Sequence, residues 1–350
     1  MLEITVIPVE GYQRVCRAVD SESGLHAIIA VHNTVLGPAL GGMRMWPYAS
    51  EEEALTDVKR LARGMTYKAS CAGLDLGGGK SVIIGDPKNK SEAMFKAMGE
   101  FVESFQGSYI TAEDVNTKVE DMAFVNSVTN HVVGLAGKSG NPSPKTAWGC
   151  YLGLKAAAEE KFGTSDLKGL TVALEGAGSV GAVYADLIAK EGGKIIAADI
   201  KEESARRVAE ATGGTVVAPD EIAAIDCDVY APCALGGSVN DESIKNLKAR
   251  VVCGAANNQL LRPEHGDMLR DRGILYAPDY VVNAGGLINV YHELVPGGYQ
   301  EDAAMAQMDK IRQNLLKIFR LAREEGICTA VAADRFGEAR VLAAMEEAKA

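Results

Sequence analysis

Apolar positions along the chain fall into two different rhythms. In the first ~140 residues, short strands and helices are mixed. "HAIIAVHNT" (26–34) and "SVIIGD" (81–86) are apolar, β-branched-rich runs ending in turn residues, the mark of strands. "SEEEALTDVKRLARGMTYKA" (50–69) opens with Ser50 as N-cap and three glutamates in its first turn. Leu55, Val58, Leu61 and Met65 then form a stripe at helical spacing. "SEAMFKAMGEFVESF" (91–105) predicts a second helix, and "SYITAED" (108–114) a strand running into two carboxylates. "GKSGNPSPK" (137–145) is the clearest breaker cluster and a natural domain junction, followed by a helix over roughly 145–162.

From residue 170 onward, near-continuous apolar strands alternate with helices. "TVALEG" precedes a helix over 178–191, and "KIIAAD" one over 202–211. "TVVAP", "CDVYAP", "RVVCGAA" and "ILYAPD" follow. Strands of this kind predict a parallel sheet covered on both faces. The last ~50 residues (301–348) read as two helices. The fold class is therefore α/β with two domains, the second a doubly wound Rossmann-type sheet.

The 350 residues carry a formal net charge of -11, which argues against a nucleic-acid partner. Seven cysteines, an odd number without a CxxC pair, sit mostly in apolar stretches. They read as buried free thiols in a reducing, cytoplasmic setting. The five histidines do not fall at ligand spacing near them, so no metal site is expected. No basic-then-apolar leader opens the chain, and no apolar run is long enough for a membrane.

Two glycine clusters carry the candidate chemistry. In "LEGAGSVGAVYADLIAKEGGKIIAADI", Gly176, Gly178 and Gly181 form G-x-G-x-x-G between a strand and a helix. Asp199 ends the next strand, about 20 residues further on, which completes a dinucleotide fingerprint. Its carboxylate suits a ribose diol and repels a 2′-phosphate, so NAD is favoured over NADP. The other cluster, "CAGLDLGGGKSVIIGD" (71–86), resembles a phosphate loop but fails its spacing. The first glycine should be residue 74, which is Leu74, and a strand follows where a helix is required. Lys80 is better read as a lysine at the start of an apolar strand, with its amine pushed toward neutrality by burial. The glycines before it would let the backbone pass close to a ligand. Lys68, Asp114, a glycine-rich turn in "GPALGGMR" (37–44) and Asn283 in "PDYVVNAGG" complete the set.

With these pieces in order the sequence resembles the glutamate/leucine/phenylalanine/valine amino-acid dehydrogenases, nearest their leucine-specific members. "LGPALGG", "GMTYKA", "GGGKSVIIGDP", "YITAEDV", "SGNPSPKTAWG", "APCALGG", "GAANNQL" and "YAPDYVVNAGGLINV" carry the likeness. The resemblance implies that Lys68 binds the substrate carboxylate near the Gly41–Gly42 backbone. It makes Lys80 the lysine that activates water, with a neighbouring lysine helping to keep it neutral, and Asp114 its proton partner. Asn283 would align the substrate, and Leu40, Ala112, Leu287 and Val290 would line its side-chain pocket. Gly176, Ala177, Gly178, Ser179, Val180, Gly181, Asp199, Thr146, Cys233, Ala234 and Asn257 would bind the cofactor. The implied fold is a substrate domain over 1–140 and an NAD-binding domain over 145–325, with the active site in the cleft. The C-terminal helices would return to the first domain, the last of them (about 328–350) counted with it.

The implied reaction is reversible NAD-dependent deamination of leucine, then isoleucine and valine, to a 2-oxo acid and ammonia. Phenylalanine or tryptophan is the second substrate class, and a catalytically silent NAD sensor the alternative from another class. The family suggests a homo-oligomer, an octamer or a dimer. Asn116 in "EDVNT" stands where glycine is usual, and "GAGSVG" replaces the commoner "GLGNVG".

Overall fold

A computed structural model describes residues 1–349, which form two compact units. The first takes Met1–Gly140, Val290–Tyr299 and the last stretch from Gly337. The second takes Asn141–Asn289 and Gln300–Phe336.

The first unit contains β1 (Glu3–Val6), β2 (Arg14–Asp20), β3 (Leu25–Asn33), β4 (Ala39–Trp46), α1 (Glu51–Cys71), β5 (Gly77–Ile84), α2 (Glu92–Glu103), β6 (Tyr109–Glu113) and α3 (Val119–Asn126). Its six-stranded sheet runs β1-β2-β3-β5-β4-β6. The pairs from β1 to β5 are antiparallel, whereas β4 lies parallel to both β5 and β6. Side chains alternate between the two faces. Val82 packs with Ala54, Val58 and Ala62 of α1 on one face. Ile83, Met43, Met45 and Tyr109 pack with Phe95, Met98 and Phe101 of α2 on the other. Lys80 shares the parity of Val82, so it belongs to the α1 face.

Three local readings change here. β5 begins at Gly77, so Lys80 stands inside the strand with glycines before it. Gly41 and Gly42 lie within β4, paired to Thr111 and Ala112, and make no turn. Both clusters are strand despite the low strand propensity of glycine, because tertiary packing outweighs it. A Cβ on Gly78 would sit 2.2 Å from the backbone nitrogen of Thr66 in α1, and one on Gly79 2.6 Å from the Tyr109 ring. One on Gly41 would meet the Gly79 carbonyl oxygen at 1.7 Å. These glycines make room for a helix, a ring and a neighbouring strand, and the ligand expected beside them is not what they accommodate. α1 shows the same constraint: Ala54, Val58, Ala62 and Thr66 are among its buried positions, whereas Leu55, Leu61 and Met65 are half-buried. Small residues face the glycine strand because the backbones approach closely.

The second unit opens with α4 (Ser143–Phe162), β7 (Thr171–Glu175), α5 (Ser179–Lys190), β8 (Lys194–Ala198), α6 (Glu202–Thr212) and β9 (Thr215–Val216). There follow β10 (Val229–Pro232), α7 (Asp241–Asn246), β11 (Val251–Val252), α8 (Glu264–Asp271) and β12 (Leu275–Tyr276). The chain ends with α9 (Asp279–Val282), α10 (Gly285–Tyr291), α11 (Glu301–Glu325) and α12 (Thr329–Glu347). The sheet is parallel throughout, ordered β12-β11-β10-β7-β8-β9. Strand order therefore reverses between β7 and β10, the switch point at which doubly wound sheets bind ligands. α11 packs on α4 in this unit, and only the part of α12 from Gly337 joins the first. There, Gly337 accepts a hydrogen bond from Ser70 (2.7 Å) and Arg340 pairs with Asp75 (2.7 Å).

No helix among the described residues is long and apolar enough to cross a membrane. None of their His, Cys, Asp and Glu side chains form a group able to hold a metal ion.

Packing makes opposite predictions for two glycines. Gly79→Ala pushes a methyl into the fully buried Tyr109 and is expected to lower stability by about 1–3 kcal/mol. Gly64→Ala, on the exposed face of α1 with open space around it, is expected to raise it by up to about 1 kcal/mol. Thermal melts check both, and equal melting temperatures for Gly79→Ala and wild type would contradict the packing account.

Candidate active site

The first unit brings Lys80 and Asp114 together directly. β5 carries Lys80, which is 6% exposed. Asp114 follows the last residue of β6. Lys80 Nζ lies 2.7 Å from Asp114 Oδ2, a charge-assisted contact. A buried ammonium requires such a partner. The neighbour in contact with Lys80 is thus Asp114, the proton partner that the resemblance implies for it. Burial pushes the Asp114 carboxyl up, but the Lys80 ammonium and the Arg44 guanidinium outweigh it and hold it below the usual range.

The loop that presents Asp114 is tied down on several sides. Asp114 N donates to Thr117 Oγ1 (2.9 Å), Thr117 Oγ1 donates to the Met43 carbonyl (2.7 Å), and Met45 N donates to the Val115 carbonyl (3.0 Å). Asn116 takes φ +61°, a conformation in which glycine is usual. Its Nδ2 donates to the Met45 carbonyl at 3.0 Å, an anchor that glycine would lack. A Cβ on Gly42 would come within 2.6 Å of the Glu113 carbonyl oxygen and 2.7 Å of Asp114 Cβ, so that glycine makes room for the chain that presents the carboxylate.

Leu40 and Ala112 share the α1 face with Lys80: in the β4 registers Leu40 pairs with Gly78, and Gly42 with Ala112. Leu40 is buried and Ala112 half-buried. Lys68 lies in the last turn of α1, half-buried. Val290 belongs to this unit and packs 3.9 Å from the Cβ position of Gly134, whereas Leu287 belongs to the second unit and is buried there.

The sequence reading missed Arg44. Its Nε is 3.3 Å from Asp114 Oδ2, and its Nη1 is 3.0 Å from Asp57 Oδ2 on α1. Tyr48 also donates to Asp57 Oδ2 at 2.7 Å. An arginine between two buried methionines of an apolar strand was the available signal, since buried arginines are almost always paired.

In the second unit the three glycines of the loop divide by role. On Gly176 (φ +99°) a Cβ would crowd Ala234 N at 2.7 Å, and on Gly181 it would strike the Gly176 oxygen at 2.0 Å. Both serve packing: the first holds the loop against the Cys233–Ala234 turn at the switch point, the second seats α5 on β7. Gly178 has nothing within 4 Å and an ordinary extended backbone. It caps α5 without a side-chain hydrogen bond, leaving the first-turn donors around exposed Ser179 and half-buried Val180 open to an anion. The cradle fits a pyrophosphate, whose approach a Cβ would block. Asp199 accepts hydrogen bonds from Ala177 N and Lys201 N, each at 2.8 Å, one on each oxygen. Each oxygen retains acceptor capacity for a hydroxyl.

Asn283 donates to Asn257 Oδ1 (2.8 Å) and the Ala255 carbonyl (3.2 Å). Thr146 opens α4 where α10 starts: its Oγ1 would lie 2.8 Å from a Cβ on Gly286, and the Lys145 carbonyl 1.9 Å from one on Gly285. The start of α4 at Thr146 is thus held close to the start of α10, and Asn283 is tied to Asn257 by its own hydrogen bond. The Cys233 thiol takes a hydrogen bond from Ala255 N (3.4 Å), and burial pushes it up to about 12, which keeps it an inert thiol.

These features agree with known proteins. Residues 12–131 match the Glu/Leu/Phe/Val dehydrogenase dimerisation domain, and residues 198–348 the glutamate/leucine/phenylalanine/valine dehydrogenase domain. The chain is 53% identical to leucine dehydrogenase from Thermoactinomyces intermedius, over 94% of this chain and 91% of that one. It is 47% identical to valine dehydrogenase from Streptomyces coelicolor, over 95% and 92%. L-Tryptophan dehydrogenase from Nostoc punctiforme, a crystal structure, superposes with a TM-score of 0.86 at 43% identity, covering 96% of this chain and 97% of that one. The chain belongs to the glutamate/leucine/phenylalanine/valine dehydrogenase family, whose members act with a nicotinamide cofactor.

Proposed function

We propose that this enzyme catalyses the reversible NAD-dependent oxidative deamination of branched-chain aliphatic L-amino acids, leucine before isoleucine and valine. The observation that carries the reading is the contact between buried Lys80 and half-buried Asp114, with apolar Leu40 and Ala112 on the same sheet face as Lys80. The likeness to leucine dehydrogenase at 53% identity supports it. The other assigned pocket positions, Leu287 and Val290, are apolar too, and a glutamate side chain would leave an unpaired carboxylate there.

Lys68 pairs its ammonium with the substrate carboxylate, which fixes the direction of the Cα–H bond. Asn283 aligns the amino group. The Gly176–Gly181 loop holds the dinucleotide phosphates at the N-terminus of α5, and Asp199 accepts the ribose hydroxyls and disfavours a 2′-phosphate. When bound, the nicotinamide supplies a hydride acceptor for the substrate Cα. At alkaline pH the Lys80–Asp114 pair gives up a proton. The free amine then takes one from water as the water adds to the substrate imine carbon. The pair returns that proton to the nitrogen, and the Lys80 amine, neutral again, takes the proton of the new hydroxyl as the C–N bond breaks, releasing ammonia and the 2-oxo acid. The chain works as a homo-oligomer, in keeping with its match to a dimerisation domain. Seven free thiols suit the cytoplasm.

With a panel of L-amino acids and NAD, leucine, isoleucine and valine are expected to support NADH formation and glutamate not. Lys80→Ala is expected to lower kcat for leucine by about 10²–10⁴-fold. Glutamate turnover equal to that of leucine would sink the substrate assignment. Gly178→Ala is expected to leave the melting temperature within about 2 °C of wild type while raising the KM for NAD about tenfold or more, a cost of roughly 1.4 kcal/mol in binding. An unchanged KM would remove the phosphates from this loop.

A further inference from the structure

We propose that Arg44 is a positioning residue for the deamination, holding the Asp114 carboxylate charged and aimed at Lys80 from a brace formed by Asp57 and Tyr48. The inference rests on the functional reading above for its catalytic part and on geometry for the rest.

Arg44 sits on β4, two residues past Gly42, with its side chain only 21% exposed. It spans two carboxylates: Nε meets Asp114 and Nη1 meets Asp57. A planar guanidinium can serve both at once in fixed directions, which a lysine cannot. Asp57 stands on α1, the helix whose last turn carries Lys68, and is held by the Tyr48 hydroxyl (2.7 Å) and by Arg60 (3.5 Å). The network therefore links the strand bearing Arg44, the helix bearing Lys68 and the loop bearing Asp114 within one unit.

Asp114 Oδ2 is shared, with Lys80 Nζ at 2.7 Å and Arg44 Nε at 3.3 Å. Lys80 alone would suffice to pair it. The second cation has a different consequence: it keeps the carboxylate charged and oriented at the moment when Lys80 is a neutral amine. At that stage a carboxylate paired only with Lys80 would be half-buried and without a cation, an unfavourable state. The charged and titratable groups bearing on Asp114 include Lys80 from β5, Arg44 from β4 and buried Tyr109 from β6. Burial would push the Arg44 guanidinium down, and Asp114 and Asp57 hold it up, as expected of a cation kept by its partners.

Removing one positive charge makes the coupled pair hold its proton more tightly. In Arg44→Gln, the acidic limb of the leucine-oxidation pH profile is expected to move to higher pH by about one unit, with kcat falling about tenfold or more and KM for leucine changing little. Arg44→Lys keeps the charge and is expected to restore the limb to its wild-type place while recovering kcat only in part. A limb that stays put in Arg44→Gln, with equal loss at every pH, would overturn the proposal in favour of a merely structural arginine.

A second measurement does not depend on activity. In urea denaturation, the cost of Arg44→Gln is expected to shrink in an Asp114→Asn background, because the two side chains share one contact. Additive effects would overturn the proposed coupling. If the wild-type enzyme forms no NADH with leucine, the deamination reading fails, and the urea cycle still decides whether Arg44 holds Asp114.

Discussion

A buried ammonium within a β-strand needs a carboxylate at hydrogen-bond distance, and the first unit is organised around meeting that need. Lys80 is fixed by the register of β5, between antiparallel β3 and parallel β4. Asp114 reaches it only because β6 lies next to β4 and its loop is strapped to Met43 and Met45. The close strand spacing in turn depends on Gly41 and Gly79, which leave no room for a Cβ. Glycine, an unfavourable strand residue, is kept here because it sets how near the charged pair's supports can come.

The second unit meets a different constraint with the same residue type. Gly176 and Gly181 are crowded by the protein itself, and Gly178 by nothing. A glycine that the fold does not need, at an uncapped helix start beside the switch point, marks where something else approaches. That contrast separates structural glycines from ligand-facing ones, and it reverses the first impression of the Gly77–Gly79 cluster. There every glycine is enclosed by protein atoms, so the phosphate-loop likeness and the open-path reading both fall away.

Much of this was legible in the chain. The alternation after residue 170 gives the parallel sheet, because doubly covered strands are apolar throughout. The strand-to-helix context of Gly176–Gly181, with Asp199 beyond, locates the cofactor loop. Lys80 and Asp114 stand out as charges at the ends of apolar runs. What escaped depends on through-space packing. Gly41 and Gly42 looked like a turn because glycine usually bends a chain, and only the approach of β5 and β6 explains them as strand. Arg44 stayed hidden because its partners, Asp57 and Asp114, lie on other elements. The stripe on α1 was right at Val58 but missed Ala54, Ala62 and Thr66, because small residues, which local pattern undervalues, form much of the face that meets glycine.

The account turns on Asp114 being the charged partner through which Lys80 gains and loses its proton. Comparing steady-state leucine oxidation by Asp114→Asn and wild type, at matched folded fractions, tests this most directly. The account predicts a kcat about 10²-fold or more below wild type, with the KM for NAD unchanged. An Asp114→Asn enzyme turning over leucine at the wild-type rate would contradict it.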